Sequence, residues 1–237
     1  MILSADEIKN NFDRIKERVN NAAIKCGRNP DEITIVSVSK THPVDTIKAG
    51  RKAGITVFGE NYAQELKEKH DLLEATEQSI KWHYIGHLQT NKVKYLIPFV
   101  NLIHSVDSIH LAEEISKQAI KYNRNVEILL QVNTSGEDSK SGCNPDDIYA
   151  FAIEAIKIPN LNITGLMTIG SFTENIIQIR KEFKMLRTIK EEMNNNYGLK
   201  QFINLSMGMT GDFEIAIEEG STFIRVGTAI FGQRDYN

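Results

Sequence analysis

Hydrophobic and polar positions along this chain switch repeatedly between a helical period and short apolar runs. Behind Ser4, a residue suited to an N-cap, apolar positions recur at helical spacing over residues 4–26, and Gly27 stands just past the end. Residues 34–40 then form a run rich in β-branched side chains that Pro43 stops. The same two textures continue. Strands are expected at 34–40, 55–58, 81–85, 100–104, 126–132, 161–167, 202–205 and 222–226, each separated from the next by a mainly helical stretch. Among those stretches, 44–53 closes at Gly54, 64–73 is charged and amphipathic, 176–193 reads as an outer helix, and 194–198 reads as a polar loop. Strict alternation implies a parallel sheet, and eight units close most naturally into a barrel. The expected fold class is therefore α/β, a (β/α)8 TIM-type barrel, formed as one domain over residues 1–237 with the first helix packed on it. An open doubly wound sheet is the alternative, and it would normally carry a glycine-rich nucleotide loop. Gly165 and Gly170 have P-loop spacing, but Ser171 stands where that loop needs lysine.

Composition narrows the function more than the fold. With 41% hydrophobic and 25% charged residues, the chain is an ordinary globular protein long enough to need no staple. A net charge of -3 supplies no basic field, so nucleic acid is not an expected partner. Cys26 and Cys143 lie far apart in no metal-type spacing, and free thiols in a reducing compartment are the simplest reading. The opening residues turn acidic and amphipathic at once, unlike a signal peptide, and no apolar run approaches the ~18 residues of a membrane span. A cytoplasmic monomer with no membrane partner is expected.

In a barrel of this kind, chemistry gathers at the C-terminal ends of the strands. The first such end is Lys40, on the same strand face as Val36 and Val38. An ammonium at the end of an apolar row is desolvated, which favours the free amine that attacks aldehydes. The ordinary alternative is a lysine reaching out to solvent. Ser206, Gly208, Thr210 and Gly211 after the seventh strand, with Gly227 and Thr228 after the eighth, are small residues that let backbone N–H groups approach an anion. A short helix at 213–219 with Asp212 as N-cap would face the same mouth, and plain turn chemistry explains these residues equally well. Arg225 should point inward and needs an acceptor: Asp107, Glu60, a phosphate or a pyridine nitrogen. His83 and His87 sit on a strand and its loop rather than a helix, so no metal site is expected. His104 and Asp107 suit either a substrate amine or a loop hydrogen bond, and Lys140 either a second phosphate or solvent.

Eight segments carry a resemblance. They are 38–43 around Lys40, 58–62 around Glu60 and Asn61, 83–92, 104–107, 132–140, 165–170, 205–209 and 225–232. Together they resemble the YggS/PROSC family of pyridoxal phosphate homeostasis proteins, which are similar to the barrel domain of alanine racemase. The resemblance implies pyridoxal 5′-phosphate held as a Schiff base on Lys40. It also implies phosphate contacts from Ser206, Gly227 and Thr228, with Arg225 close to the pyridine nitrogen or the phosphate and Asn61 and Met207 near the cofactor. Thr210 and Gly211 depart from the residues common in relatives, which touches only the phosphate end.

In the barrel racemases a tyrosine from an added β-domain of a partner subunit serves the second face of the substrate. This sequence stops soon after the eighth strand, so that domain is expected to be absent and the cofactor open to water. An arginine donating to the ring nitrogen keeps it unprotonated and a weaker electron sink. The expectation is a binding and homeostasis protein, not a catalyst, which keeps the cofactor masked and supplies it to apo-enzymes. The rivals are a small amino-acid racemase on the same cofactor and a cofactor-free lysine aldolase acting on a phosphosugar.

Overall fold

The computed structural model describes residues 2–77, 79–137 and 140–233, and in it eight parallel strands close into a barrel in chain order. The strands are β1 (Thr34–Val38), β2 (Val57–Glu60), β3 (Lys81–Tyr84), β4 (Leu102–Val106), β5 (Val126–Gln131), β6 (Leu161–Met167), β7 (Asn204–Met209) and β8 (Phe223–Val226). The helices are α1 (Ala5–Lys25), α2 (Val44–Lys52), α3 (Ala63–Leu73), α4 (Val93–Leu96) and α5 (Ile109–Lys121), then α6 (Ile148–Ala155), α7 (Ile176–Asn196), α8 (Phe213–Glu218) and α9 (Thr228–Phe231). The seam closes where β8 returns to β1, with Thr34 opposite Phe223 and Val36 opposite Arg225.

Local chemistry accounts for the main elements. Ser4 caps α1 by accepting from the Glu7 N–H at 3.2 Å, while the Glu7 carboxylate takes the Ser4 N–H at 2.8 Å. This reciprocal box satisfies two otherwise orphaned donors and contributes about 1 kcal/mol. The buried side of α1, through Ile8, Ile15 and Val19, lies across α2, α8 and α9. Arg18 pairs with Glu214 at 2.6 Å, and Arg28 donates to the carbonyls of Ile217 and Ser221 at 2.8 Å. The first helix therefore straps the outside of the seam.

Two apolar layers result from strand alternation. Outward residues such as Phe58, Ile103 and Leu205 join helix residues such as Leu66, Phe183 and Phe213 in one continuous buried cluster. Inside the barrel Leu102, Leu129 and Met167 form a small floor, with Ile169 and Phe223 against it.

All eight expected strands are present, but three are displaced towards the mouth. β2 runs to Glu60, β4 to Val106 and β7 to Met209. The apolar pattern ends each at its last bulky residue, whereas the ladder continues through Gly59, Ser105 and Ser206, whose buried positions carry no such signal. In β7 the register slips against β8, Ser206 facing Phe223 and Met209 facing Arg225. This bulge passes through Gly208 at φ +91, a backbone state glycine adopts without strain. The expected loop at 194–198 is partly helix, since α7 continues through Asn196 and Asn194 donates to the Phe202 carbonyl at 3.0 Å. Asp212 precedes α8 without capping it; its carboxylate takes the Met209 N–H at 2.5 Å and braces the β7 loop.

Candidate functional site

Lys40 follows β1 at the barrel mouth and is half-buried. Val36 and Val38 face the lumen, where their methyls approach the Gly59 position. Ser39 turns outwards to Glu60, donating its hydroxyl at 2.6 Å. Strand alternation then directs Lys40 back to the mouth side. Arg225 rises from the neighbouring strand, opposite Val36.

Arg225 is 5% exposed, and its contacts are neutral: Nη1 donates to Ser206 Oγ at 2.6 Å and Nη2 to the Thr168 carbonyl at 2.9 Å. Burial lowers its pKa to about 10, against the favourable field of Asp212, so it remains a cation at neutral pH. Glu60 and Asp107, the carboxylates expected from sequence as its acceptors, do not serve. Glu60 points outwards to Lys69 at 2.7 Å, and Asp107 lies 3.5 Å from His87. Among the described residues Arg225 has no ion pair, so a buried guanidinium faces the mouth with donors to spare.

The other expected residues fall around it. The Ser206 hydroxyl lies under Arg225 and also contacts His104 Nδ1 at 2.8 Å. Met207 is fully buried with its side chain in the outer core, so only its main chain is near the mouth. Gly227 and Thr228 open α9, and no side chain caps its first turn. Asn61 follows β2, and its amide oxygen is buried with no partner among the described residues. Lys140 Nζ donates to Glu137 at 2.6 Å and to the Gly170 carbonyl at 3.0 Å.

Two clusters are not foreseen from sequence. One runs down the lumen, where His83 Nδ1 meets His104 Nε2 at 3.0 Å, both rings edge-on to Phe223. Arg225 donates to Ser206 Oγ, which also touches His104 Nδ1, so guanidinium, hydroxyl and the two imidazoles form one hydrogen-bonded chain. The second cluster joins Ser39, Glu60, Glu65 and Lys69 on the outer side of β1 and β2. A signal for it existed, since Lys69 lies in the buried stripe of α3 with Ala63, Leu66 and Leu73.

The histidine pair has a measurable consequence. Burial pushes the His83 pKa down to about 3 and that of His104 well below its ordinary value. Unfolded, both bind protons below about pH 6.5, so acidification from there favours the unfolded chain. Glu60 opposes this: burial raises its pKa to about 7, so the folded state keeps a proton that the unfolded state has released above about pH 4.3. Two imidazoles against one carboxyl leave a net proton uptake on unfolding, so stability falls on the order of 1 kcal/mol per pH unit between roughly pH 6.5 and 4.5. Urea midpoints across that range should show the slope, and His83→Phe should remove most of it. An equal slope in the variant would show that the pair is not its source.

Comparison with known proteins follows this geometry closely. The family described as alanine racemase, N-terminal domain, matches residues 3–235. The pyridoxal phosphate homeostasis protein of Aquifex aeolicus is 41% identical over 94% of this chain and 96% of its own. A crystal structure of an unknown protein from Bifidobacterium adolescentis superposes with a TM-score of 0.89 at 38% identity, covering 96% of this chain and 95% of that one. PipY of Synechococcus elongatus, solved with PLP bound, gives a TM-score of 0.80 at 33% identity over 92% of this chain and 100% of its own. With its closed eight-stranded barrel and this near-full-length similarity, the chain belongs to the family of pyridoxal phosphate homeostasis proteins, built on the alanine racemase N-terminal domain.

Proposed function

We propose that this protein binds pyridoxal 5′-phosphate at the barrel mouth, on Lys40, and serves in holding and supplying that cofactor rather than in turning over a substrate. The observation that carries the reading is Arg225, a buried cation whose hydrogen-bond partners among the described residues are a hydroxyl and a carbonyl. An anionic, aromatic aldehyde supplies what this mouth lacks: a ring or phosphate acceptor for the guanidinium and a carbonyl for the lysine. When bound, the cofactor brings an electrophilic aldehyde and an electron-withdrawing ring. The chain does the rest. Lys40 offers the amine, and the small residues Gly227 and Thr228, with the uncapped first turn of α9, offer main-chain donors to the phosphate. The Asn61 amide oxygen, buried with no partner among the described residues, is an acceptor available to a ligand.

Arg225 also bears on turnover. It stays protonated and has donors only, so a ring nitrogen placed against it remains unprotonated, which weakens carbanion stabilisation. Ser206 and the Thr168 carbonyl hold the guanidinium in place through one hydrogen bond each. Supply to apo-enzymes in the cytoplasm, by a monomer, completes the proposal.

Loaded protein incubated with alanine in deuterated water should exchange the α-hydrogen no faster than free pyridoxal phosphate does. Exchange well above that background, abolished by Lys40→Ala, would establish the racemase reading and remove this one.

A further inference from the structure

The backbone that carries Lys40 is held from both sides by one buried ionic cluster. On the N-terminal side, Ser39 donates its hydroxyl to Glu60 Oε1 at 2.6 Å, its carbonyl accepts from Lys69 Nζ at 2.8 Å, and its N–H reaches the Gly59 carbonyl at 3.0 Å. On the C-terminal side, the Thr41 N–H donates to Glu65 Oε1 at 2.6 Å. Lys69 joins the two halves, since it also donates to Glu60 and Glu65, each at 2.7 Å. An ammonium has three protons, and all three are used here. Glu60 and Lys69 are shut from solvent, with side chains 0% and 6% exposed.

Thr41 has φ 63, a left-handed conformation that β-branched residues avoid. Such a state persists only when its surroundings over-determine it, and the Glu65 carboxylate on its N–H is one such restraint. Buried ion clusters are a poor route to stability, because desolvation offsets much of their attraction and apolar residues of similar volume do as well. Lys69 sits in the stripe of α3 that otherwise carries Ala63, Leu66 and Leu73, where another apolar residue would complete the core. What this cluster holds that an apolar contact could not is the polar main chain on either side of one lysine.

We infer that Glu60, Lys69 and Glu65 are positioning residues that clamp Ser39 and Thr41 and so set where Lys40 presents its amine. The inference rests on the proposed role of Lys40. It carries a pH dependence as well. Glu60 Oε2 is buried with no partner among the described residues, and burial brings this carboxyl to about 7. The groups facing it are Ser39 from β1 and Lys69 and Glu65 from α3; Tyr84, its register partner on β3, turns its hydroxyl to the carbonyls of Asn61 and His87. Near neutral pH the clamp therefore alternates between an ion-paired and a neutral Glu60.

The test is the rate at which the purified protein captures added pyridoxal phosphate, followed by absorbance across neutral pH, with borohydride reduction and peptide mapping to locate the label. Glu65→Ala, which frees the Thr41 N–H, should slow capture on the order of tenfold, as small misplacements of reacting groups do. Glu65→Gln keeps an acceptor for that N–H and should recover most of the rate. Glu60→Gln preserves the shape and should erase a neutral-pH inflection present in the wild type. A merely structural role would move the unfolding midpoint and leave the pH profile of the rate as it was. Lys69→Met strands two carboxylates and is the variant most prone to misfold, so the glutamate variants decide the matter. Wild-type label on Lys40, with Glu65→Ala and Glu60→Gln both matching the wild-type rate and pH profile, overturns the clamp alone. Wild-type label on another residue overturns the cofactor reading and the clamp with it.

Discussion

Replacing Lys40 by alanine or arginine should abolish borohydride-stable attachment of pyridoxal phosphate while leaving the fold in place. Attachment needs a nucleophilic amine at the mouth. Arginine keeps the charge but does not deprotonate, so it isolates nucleophilicity from electrostatics. The nearby lysines are poor substitutes. Lys69 has all three protons committed on the outer side of the barrel, and Lys140 is tied to Glu137 and Gly170. Lys40 is half-buried in a turn after β1, so its removal opens no core cavity and should change stability by less than about 1 kcal/mol. Reduction, digestion and mass mapping would read the result. A variant that keeps an unfolding midpoint near that of the wild type yet still acquires a reducible label would mean that the attachment site lies elsewhere.

The largest expected loss of stability comes from a residue with no chemistry at all. Gly165 lies in β6 opposite Asn204 of β7, and a Cβ placed there would sit 2.0 Å from the Asn204 carbonyl oxygen and 2.7 Å from its carbon. These are backbone atoms of a paired strand, so relief requires the ladder itself to open. Gly165→Ala should cost about 3 kcal/mol or more, which for a chain of this size lowers the thermal midpoint by roughly 10 °C. Gly211→Ala is the matched control, because nothing lies within 4 Å of its Cβ position and its loop can take the methyl. Equal midpoints for the two variants would contradict the close strand approach.

The eight strands were legible because each carries at least one run of bulky apolar residues, and the helices between them show their period plainly. The mouth-side ends of β2, β4 and β7 were not, since a strand that turns glycine, serine or a charged residue towards a cavity or a buried partner loses the apolar signature. The same reason separates the site residues. That Lys40 and the glycines after the last two strands would stand at strand ends was readable, and that position is what made them candidates. That Glu60 would not serve Arg225 was not, because nothing in the local sequence tells Glu60 that Lys69, nine positions on, will claim it. His104 read as a residue for a substrate amine or a loop hydrogen bond, and His83 as a strand residue without a metal, until closure of the barrel set both rings edge-on to Phe223. Pairings of this kind depend on which strands become neighbours, and short-range pattern does not contain that.

The seam between β8 and β1 has a temporal side. Arg225 and Lys40 stand on adjacent strands but near opposite ends of the chain, and α1 lies across the join. A ribosome must therefore deliver β8 before the barrel can close, and on the proposed reading Lys40 then gains the Arg225 side of its pocket only in a finished chain. Stable loading would on that reading report on completed folding.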